Sequence, residues 1–406
     1  ATATPANGSP GHCRNAIHKT TDNMKIGILT QPLHTNYGGL LQCWALQHVL
    51  LAMGHDAWVV RRVKNSHSFF FWARIRLRNV VCKLFGRPKL VWLSRKDEAA
   101  ISQQTRPFID RYITPRTGFL YSTRALRNDF ERQRYDAYIV GSDQVWRPRY
   151  SPCQPNYFLD FLPQDSRVKR IAYAASFGTE QWEFSRRLTS QCETLARQFN
   201  AVSVREANGV RLCGEHLGIQ SVQVLDPTLL LTPGEYERLV HEQDEAASPG
   251  DLFCYLLDRN PGTKLFKQDL EHELGLTAFE IMPQAIGMRN PDAPLKDRIY
   301  PRVTQWLRAF MDAQCVLTDS FHGCAFAILF NRPFVVIGNQ RRGQARFHSL
   351  LSTFGLEERL VLTEKADDIT ACMKRPIDWA DVNLRLKEWR TYSMDFLRNA
   401  LHADGK

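Results

Sequence analysis

The chain has 406 residues, 44% of them hydrophobic and 23% charged, an ordinary globular composition in a length that accommodates two domains at roughly 100–200 residues each. Formal net charge is +11, and no apolar run approaches the roughly 20 residues needed to span a bilayer as a helix. A chain that threads the membrane as helices is therefore excluded.

Residues 1–23 are rich in Ala, Thr, Pro, Gly, Asn and Ser. They lack the apolar core of a signal peptide and read as a disordered tail before Met24, which looks like a natural start. Ile26 to Thr30 reads as a short buried strand, and Gln31 to Gly39 as a polar loop ending in glycines. Leu40 to Met53 has helical spacing with Gly54 as its stop, and Ala57 to Val60 is the next strand. Gly38 and Gly39 leave room for a ligand at the helix start, but neither G-x-G-x-x-G nor a P-loop pattern is present.

From Arg61 to Lys96 the chain carries eleven Lys or Arg and no Asp or Glu, so the remainder is close to neutral. Phe69, Phe70, Phe71, Trp72, Phe85 and Trp92 lie among these charges. Three readings are open: a solvated helical insertion whose aromatics pack on the domain, a contact with an anionic membrane surface, and a nucleic-acid face. No nucleic-acid motif accompanies the charge.

A helix is expected around Glu98–Tyr112. Ala137 to Val140 is a compact strand running into Gly141-Ser142-Asp143-Gln144-Val145-Trp146. Arg170 to Ala175 repeats the form and ends in Ser176-Phe177-Gly178, and Trp182 to Phe199 is amphipathic and helical. In the second half, Ala201 to Val204 ends in Arg205-Glu206, and a helix follows near Gly209–Leu217. Pro227 places a loop at the carboxyl end of a strand over 222–225. Leu252 to Leu257 and Thr277 to Met282 read as strands, Ile299 to Asp312 as a helix and Phe334 to Ile337 as a strand. Gly338 to Phe347 is a basic, glycine-containing loop, and Trp379 to Leu401 is an amphipathic helix.

Two successive strand–helix series with loops gathered at strand ends predict an α/β fold of two doubly wound Rossmann-like domains facing a cleft. The expected division is 24–197, containing the basic insertion 61–96, then 198–375, then a C-terminal helix in 376–406. Ten cysteines are spread singly, without C-x-x-C or zinc-ligand spacing, which points to a reducing compartment.

The chemistry gathers at Cys315-Val316-Leu317-Thr318-Asp319-Ser320-Phe321-His322-Gly323. An apolar run stops at a polar dipeptide, and a histidine and a glycine open a second apolar run. This is a buried strand, a tight turn and a helix start. Ligands of open α/β sheets bind beyond the carboxyl ends of the strands, so His322 would face a cleft beside helix-start N–H groups that attract anions. Imidazole titrates near neutrality and serves as acid or base; the plain alternative is a buried, satisfied histidine. His34 is a second candidate, and Arg205, Arg341, Arg342 and Arg346 offer forks suited to phosphate or carboxylate. For Arg341 and Arg342 the alternative is a surface ion pair. Acidic pairs are few for a two-carboxylate glycosidase, no cluster suggests a catalytic metal, and Ser320 with His322 lacks a nucleophile-elbow context. An anion-binding cleft with histidine acid/base chemistry remains.

The ordered segments ILTQPLHTNYGGLLQCWALQ, DAYIVGSDQVW, RIAYAASFG, VSVREANG, VLDPTLLL and VLTDSFHGCAFAILFNRPF together resemble the polysaccharide pyruvyl transferase family over about residues 24–400, in its branch with Thr-Asp-Ser-Phe-His-Gly. The resemblance implies a fold like that of the GT-B glycosyltransferases. It also implies transfer of pyruvate from phosphoenolpyruvate to a sugar of a polysaccharide or its lipid-linked precursor, usually as a ketal across two hydroxyls, with release of phosphate. No cofactor is expected beyond this donor substrate. His322 matches the family's catalytic histidine and Arg205 an arginine expected to hold phosphoenolpyruvate. Asn36, Tyr37, Gly38, Asp143 and Ser176 are candidates for donor or acceptor contact, with Ser320, Phe321, Gly323 and His34. Where one branch has Arg-Leu-His this chain has Ser320-Phe321-His322, so the arginine two residues before the histidine is missing, and Arg341, Arg342 or Arg346 are candidates to replace it. The expected setting is cytoplasmic polysaccharide or cell-envelope synthesis, peripheral on the inner face of a membrane through 61–96. Two rivals stand beside this reading: a glycosyltransferase of the same fold using a nucleotide-sugar donor, and a noncatalytic saccharide-binding or assembly protein at the membrane.

Overall fold

A computed structural model of the chain describes residues 23–64, 69–84, 94–258, 261–285, 293–338, 344–362 and 365–402. The expected disordered tail, and the loop arginines Arg341 and Arg342, lie outside these residues.

Among the described residues the strands form two parallel sheets. The first contains β1 (Lys25–Leu29), β2 (Asp56–Arg62), β3 (Arg116–Leu120), β4 (Ala137–Gly141), β5 (Lys169–Ala175), β6 (Ala201–Val204) and β7 (Val222–Gln223), in the order β3-β2-β1-β4-β5-β6-β7. The second contains β8 (Leu252–Tyr255), β9 (Ala278–Phe279), β10 (Cys315–Thr318), β11 (Phe334–Ile337) and β12 (Leu360–Val361), in the order β12-β11-β10-β8-β9. The central strands are short apolar runs buried along their whole length, as in β10 and β11. That is the pattern of parallel strands covered on both faces.

Both orders are doubly wound. The strand order reverses between β1 and β4 in the first sheet, where Ile26 pairs with both Ala57 and Ala137. It reverses between β8 and β10 in the second, where Val316 pairs with Phe253 and Phe334. Such switch points open a crevice at the carboxyl ends of the strands, and each sheet supplies one.

The sheets part between Gln223 and Leu252, later than the expected boundary at 197/198, because β6 pairs with β5 and β7 with β6. Strand–helix alternation reads the elements but not their pairing, which is a non-local hydrogen-bonding choice. The C-terminal helix, Trp379–His402, crosses back to the first sheet's side: Ser393 Oγ accepts from Leu225 N at 3.0 Å, and Arg390 donates to the Leu229 and Leu231 carbonyls at 2.9 and 3.0 Å.

Several local expectations shift. The first helix runs Tyr37–Ala52 and takes Gly38 and Gly39 into its first turn, with Asn36 as an extended N-cap. Thirteen of its 16 residues are buried, so it is a core helix with no polar face. The helix expected near Glu98–Tyr112 is two, Arg95–Ile101 and Arg106–Tyr112; Pro107, which cannot donate a helical hydrogen bond, sits in the first turn of the second. The helix expected over Trp182–Phe199 is confined to Arg186–Ala196 with Ser185 as its cap. Part of the expected loop 338–347 is the start of a helix, Ala345–Phe354. All nine described cysteines are free thiols. Among the described residues no helix is long and apolar enough to cross a membrane.

Candidate active site

The turn after β10 is built by its own side chains. Thr318 Oγ1 donates to the Tyr255 carbonyl at 2.8 Å and accepts from Ser320 N at 3.1 Å, locking the strand end to β8. Asp319 spans the second switch point: its two carboxylate oxygens accept from Leu257 N and Asp258 N, each at 2.7 Å. Ser320 caps the helix Phe321–Leu329, its Oγ accepting from Gly323 N at 3.4 Å. Gly323 is required by space, since a Cβ there would lie 2.2 Å from Thr318 Oγ1. Phe321 and His322 thus open the helix at the carboxyl edge of the sheet.

His322 is 6% exposed, and its Nε2 has no hydrogen-bond partner. That nitrogen lies 3.6 Å from Asp226 Oδ2, a charge contact longer than a hydrogen bond. The other side of the ring rests on the first domain: a Cβ on Gly38 would be 2.0 Å from His322 Nδ1. Gly38 therefore serves a side chain of the facing domain by having none of its own.

Asp226 is the hub of the site. Oδ2 accepts from Arg205 Nη1 at 2.8 Å and from Ser142 Oγ at 2.9 Å, and Oδ1 accepts from Thr228 N at 3.0 Å and Thr228 Oγ1 at 2.8 Å. Burial alone would raise this carboxyl, but the His322 imidazole and the Arg205 guanidinium outweigh it and hold Asp226 well below the ordinary carboxylate range.

Arg205, at the end of β6, is buried with its guanidinium 4.1 Å from the centre of the Phe321 ring. Its Nη2 lies 3.7 Å from Asp143 Oδ1 and its Nε 3.8 Å from Glu206 Oε2, yet neither nitrogen makes a hydrogen bond. Burial lowers its pKa, but the three neighbouring carboxylates Asp226, Asp143 and Glu206 carry it above the usual arginine value. Arg346 also joins this cluster. Burial and the Arg205 charge bring it down to about 10 against the pull of Glu206 and Asp143, and its Nε has no hydrogen-bond partner.

The other expected residues surround this core in different ways. Asp143, in the left-handed region at φ 65, follows β4 and accepts from Asn36 Nδ2 at 3.2 Å; Asn36 itself is exposed at the rim. Ser176 donates to Glu206 Oε1 at 2.6 Å and accepts from Gly178 N at 3.0 Å. Tyr37 stands in the seam between the sheets, stacked on Trp306 at 5.6 Å with its hydroxyl donating to the Pro301 carbonyl at 3.0 Å. His34 has Thr35 Oγ1 at 3.3 Å and the Glu98 carbonyl at 3.2 Å against its two ring nitrogens, joining its loop to the helix that follows the basic stretch.

The structure thus gathers His322, Arg205, Arg346 and Asp143 around two carboxylates outside the candidate set, Asp226 and Glu206. Each had a signal in the sequence. Asp226 precedes a proline at a strand end, and Glu206 adjoins Arg205 at another. Strand-end polar residues facing one crevice converge even when they are far apart in the chain. Among the described residues, no three His, Cys, Asp or Glu converge in a way that could hold a metal ion.

Solved structures similar to this chain include a UDP-GlcNAc 2-epimerase from Neisseria meningitidis bound to UDP-GlcNAc, with 10% identity, 93% of this chain and 96% of that chain covered and a TM-score of 0.47. They also include the glycotransferase of kitacinnamycin, at 12% identity, 93% and 99% coverage and a TM-score of 0.48. A third is a UDP-N-acetylglucosamine 2-epimerase from Rickettsia bellii, at 11% identity, 93% and 99% coverage and a TM-score of 0.48. No curated protein matches the chain. The family model described as polysaccharide pyruvyl transferase matches residues 36–341, a span that begins at Asn36 and takes in Asp143, Arg205, Asp226 and His322. With well over half of its length matched in this way, the chain belongs to the polysaccharide pyruvyl transferase family.

Proposed function

We propose that the protein transfers pyruvate from phosphoenolpyruvate to a sugar of a polysaccharide or its precursor, closing a ketal across two hydroxyls and releasing phosphate. The observation that carries this reading is the unpartnered Nε2 of buried His322 and the unpartnered nitrogens of Arg205, both side chains set against Asp226, with Arg346 close to Arg205. A proton carrier stands next to forks that suit carboxylate and phosphate.

In this reaction C3 of the enol gains a proton and C2 becomes oxocarbenium-like. One sugar hydroxyl adds to C2, the C2–O bond to phosphate breaks, and the second hydroxyl closes the ketal. Of the two hydroxyl protons, one is balanced by the proton placed on C3 and the other leaves with phosphate. His322 Nε2 carries these protons. Asp226 stabilises the imidazolium, and Arg205 holds the donor while Phe321 and Asp226 fix its plane. Two guanidiniums face three carboxylates here, so the imidazolium form of His322 brings the cluster to neutrality. An anionic donor calls for further cations, and the sequence places Arg341 and Arg342 a few residues before Arg346. Asn36, exposed beside Asp143, suits the acceptor side.

The test is inorganic phosphate release from phosphoenolpyruvate with and without a panel of hexose acceptors. Acceptor-dependent release, with a product heavier by one ketal-linked pyruvate, supports the reading. No release, and no thermal shift with phosphoenolpyruvate, would turn the assignment to a nucleotide-sugar donor in the same cleft.

The Gly38 contact gives a paired prediction. Gly38→Ala forces the His322 ring aside, since the added carbon meets Nδ1 at 2.0 Å. Misplacing a reacting group by about an ångström costs on the order of 10²-fold in rate. Gly39→Ala adds the same atom one residue on and meets Asn36 first, at 2.9 Å from its Nδ2, so it disturbs an acceptor-side contact and leaves the His322 ring where it is. The expected outcome is a rate loss on the order of 10²-fold for Gly38→Ala and a much smaller one for Gly39→Ala. Equal rates in the two variants would show that the His322 position does not limit turnover.

A further inference from the structure

The basic segment after β2 contains a helix, Phe69–Leu84, that the chemistry above does not use. Its described side chains divide cleanly. Ile75, Asn79 and Cys82, spaced as one helical face, are half-buried or buried. The opposite face exposes Leu77 at 67%, Val80 at 57% and Val81 at 43%. These three follow the i, i+3, i+4 rule and form one apolar stripe. Arg74, Arg76 and Arg78, all exposed, stand along its two sides.

The charge here is separate from the fold's own needs. Arg61 is spent on the Phe119 ring, 3.7 Å from its guanidinium carbon, and Arg62 on Asn156, which accepts at 2.7 Å. Arg74, Arg76 and Arg78 remain exposed in a segment without an acidic residue, while the rest of the chain is formally neutral. The helix follows the carboxyl end of β2, which lies parallel to β1. It therefore leaves the first sheet at the edge where the β1 and β4 loops carry Asn36, Gly38 and Asp143.

We propose that this helix docks the protein on an anionic lipid surface, with Leu77, Val80 and Val81 entering the headgroup boundary and the arginines pairing with lipid phosphates. An apolar stripe rimmed by cations is the form of an interfacial helix. A nucleic-acid face needs the cations but leaves the stripe without a role. The inference is independent of the pyruvyl-transfer reading, because the binding can be read without any substrate.

The experiment is sedimentation of the full chain with vesicles of phosphatidylcholine mixed with phosphatidylglycerol, against vesicles of phosphatidylcholine alone. Binding to the anionic vesicles that weakens as salt rises is expected. Combined Arg74→Gln, Arg76→Gln and Arg78→Gln should weaken partitioning on the order of a hundredfold, at about 1 kcal/mol per basic residue near such a surface. Combined Leu77→Ser and Val81→Ser should weaken it at unchanged charge, which electrostatics alone would not do. All five side chains are exposed, so circular dichroism and the unfolding midpoint should match wild type and certify the variants. Equal sedimentation of wild type and the arginine variant, or no binding to anionic vesicles, overturns the proposal. So does arginine-dependent binding to duplex DNA without vesicle binding, which would make this a nucleic-acid face.

Discussion

Replacing His322 with Ala is expected to lower acceptor-dependent phosphate release by about 10²–10⁴-fold, the usual contribution of a positioned acid/base group, while the fold survives. The plain alternative is a buried histidine held in place by its contact with Asp226, 3.6 Å from Nε2. Deleting the ring removes one charge contact of Asp226, at 3.6 Å. Asp226 keeps Arg205, Ser142 and Thr228 as donors. A purely structural histidine would show the reverse balance, a clear loss of stability with the rate nearly kept. Phosphate release and denaturant unfolding, measured on the same preparation, distinguish the two. A folded variant at wild-type rate would remove His322 from the mechanism.

The second large effect belongs to Asp226. It is fully buried, and Arg205 beside it is buried with it. Breaking a buried pair from one side leaves a charge uncompensated and costs about 3–5 kcal/mol. Asp226→Asn is therefore expected to lower unfolding stability by an amount of that order at neutral pH and to loosen Arg205. The pH dependence follows from the sign of the shift. Asp226 is held below the ordinary carboxylate value in the folded protein, so in the window between its folded and unfolded pKa values the unfolded chain binds the extra proton. Its stabilisation is complete above the unfolded value of about 3.9 and is lost progressively as pH falls below it. The gap between wild type and Asp226→Asn should narrow as pH passes below about 4. Urea unfolding at several pH values measures this, and a gap that widens on acidification would mean that Asp226 is not the ionised hub described here.

The same hub explains why Arg205 and Phe321 belong together. The helix start puts Phe321 under the guanidinium at 4.1 Å, and Asp226 takes one of its nitrogens. Two further guanidinium nitrogens are left without hydrogen bonds. Asp226, after β7, and Phe321, after β10, thus fix the Arg205 side chain, although Phe321 lies more than a hundred positions along the chain from it.

Much of this was present in the amino-acid order itself. Short apolar runs ending in polar loops determined two series of parallel strands, because strands buried on both faces must be apolar throughout and their polar neighbours must lie at the ends. The same punctuation singled out His322, Arg205 and Asp143 as strand-end residues. Tertiary structure decided what local pattern does not encode. It assigned β6 and β7 to the first sheet, since strand pairing is a choice among distant partners. It placed Gly38 and Gly39 inside a helix, because the first turn of a buried helix tolerates glycine where a facing side chain needs the space. It also drew Asp226 and Glu206 into the cluster: a carboxylate becomes a hub only when burial removes water and leaves arginine and histidine as its neighbours, and that arrangement arises when the strand ends of the two sheets meet.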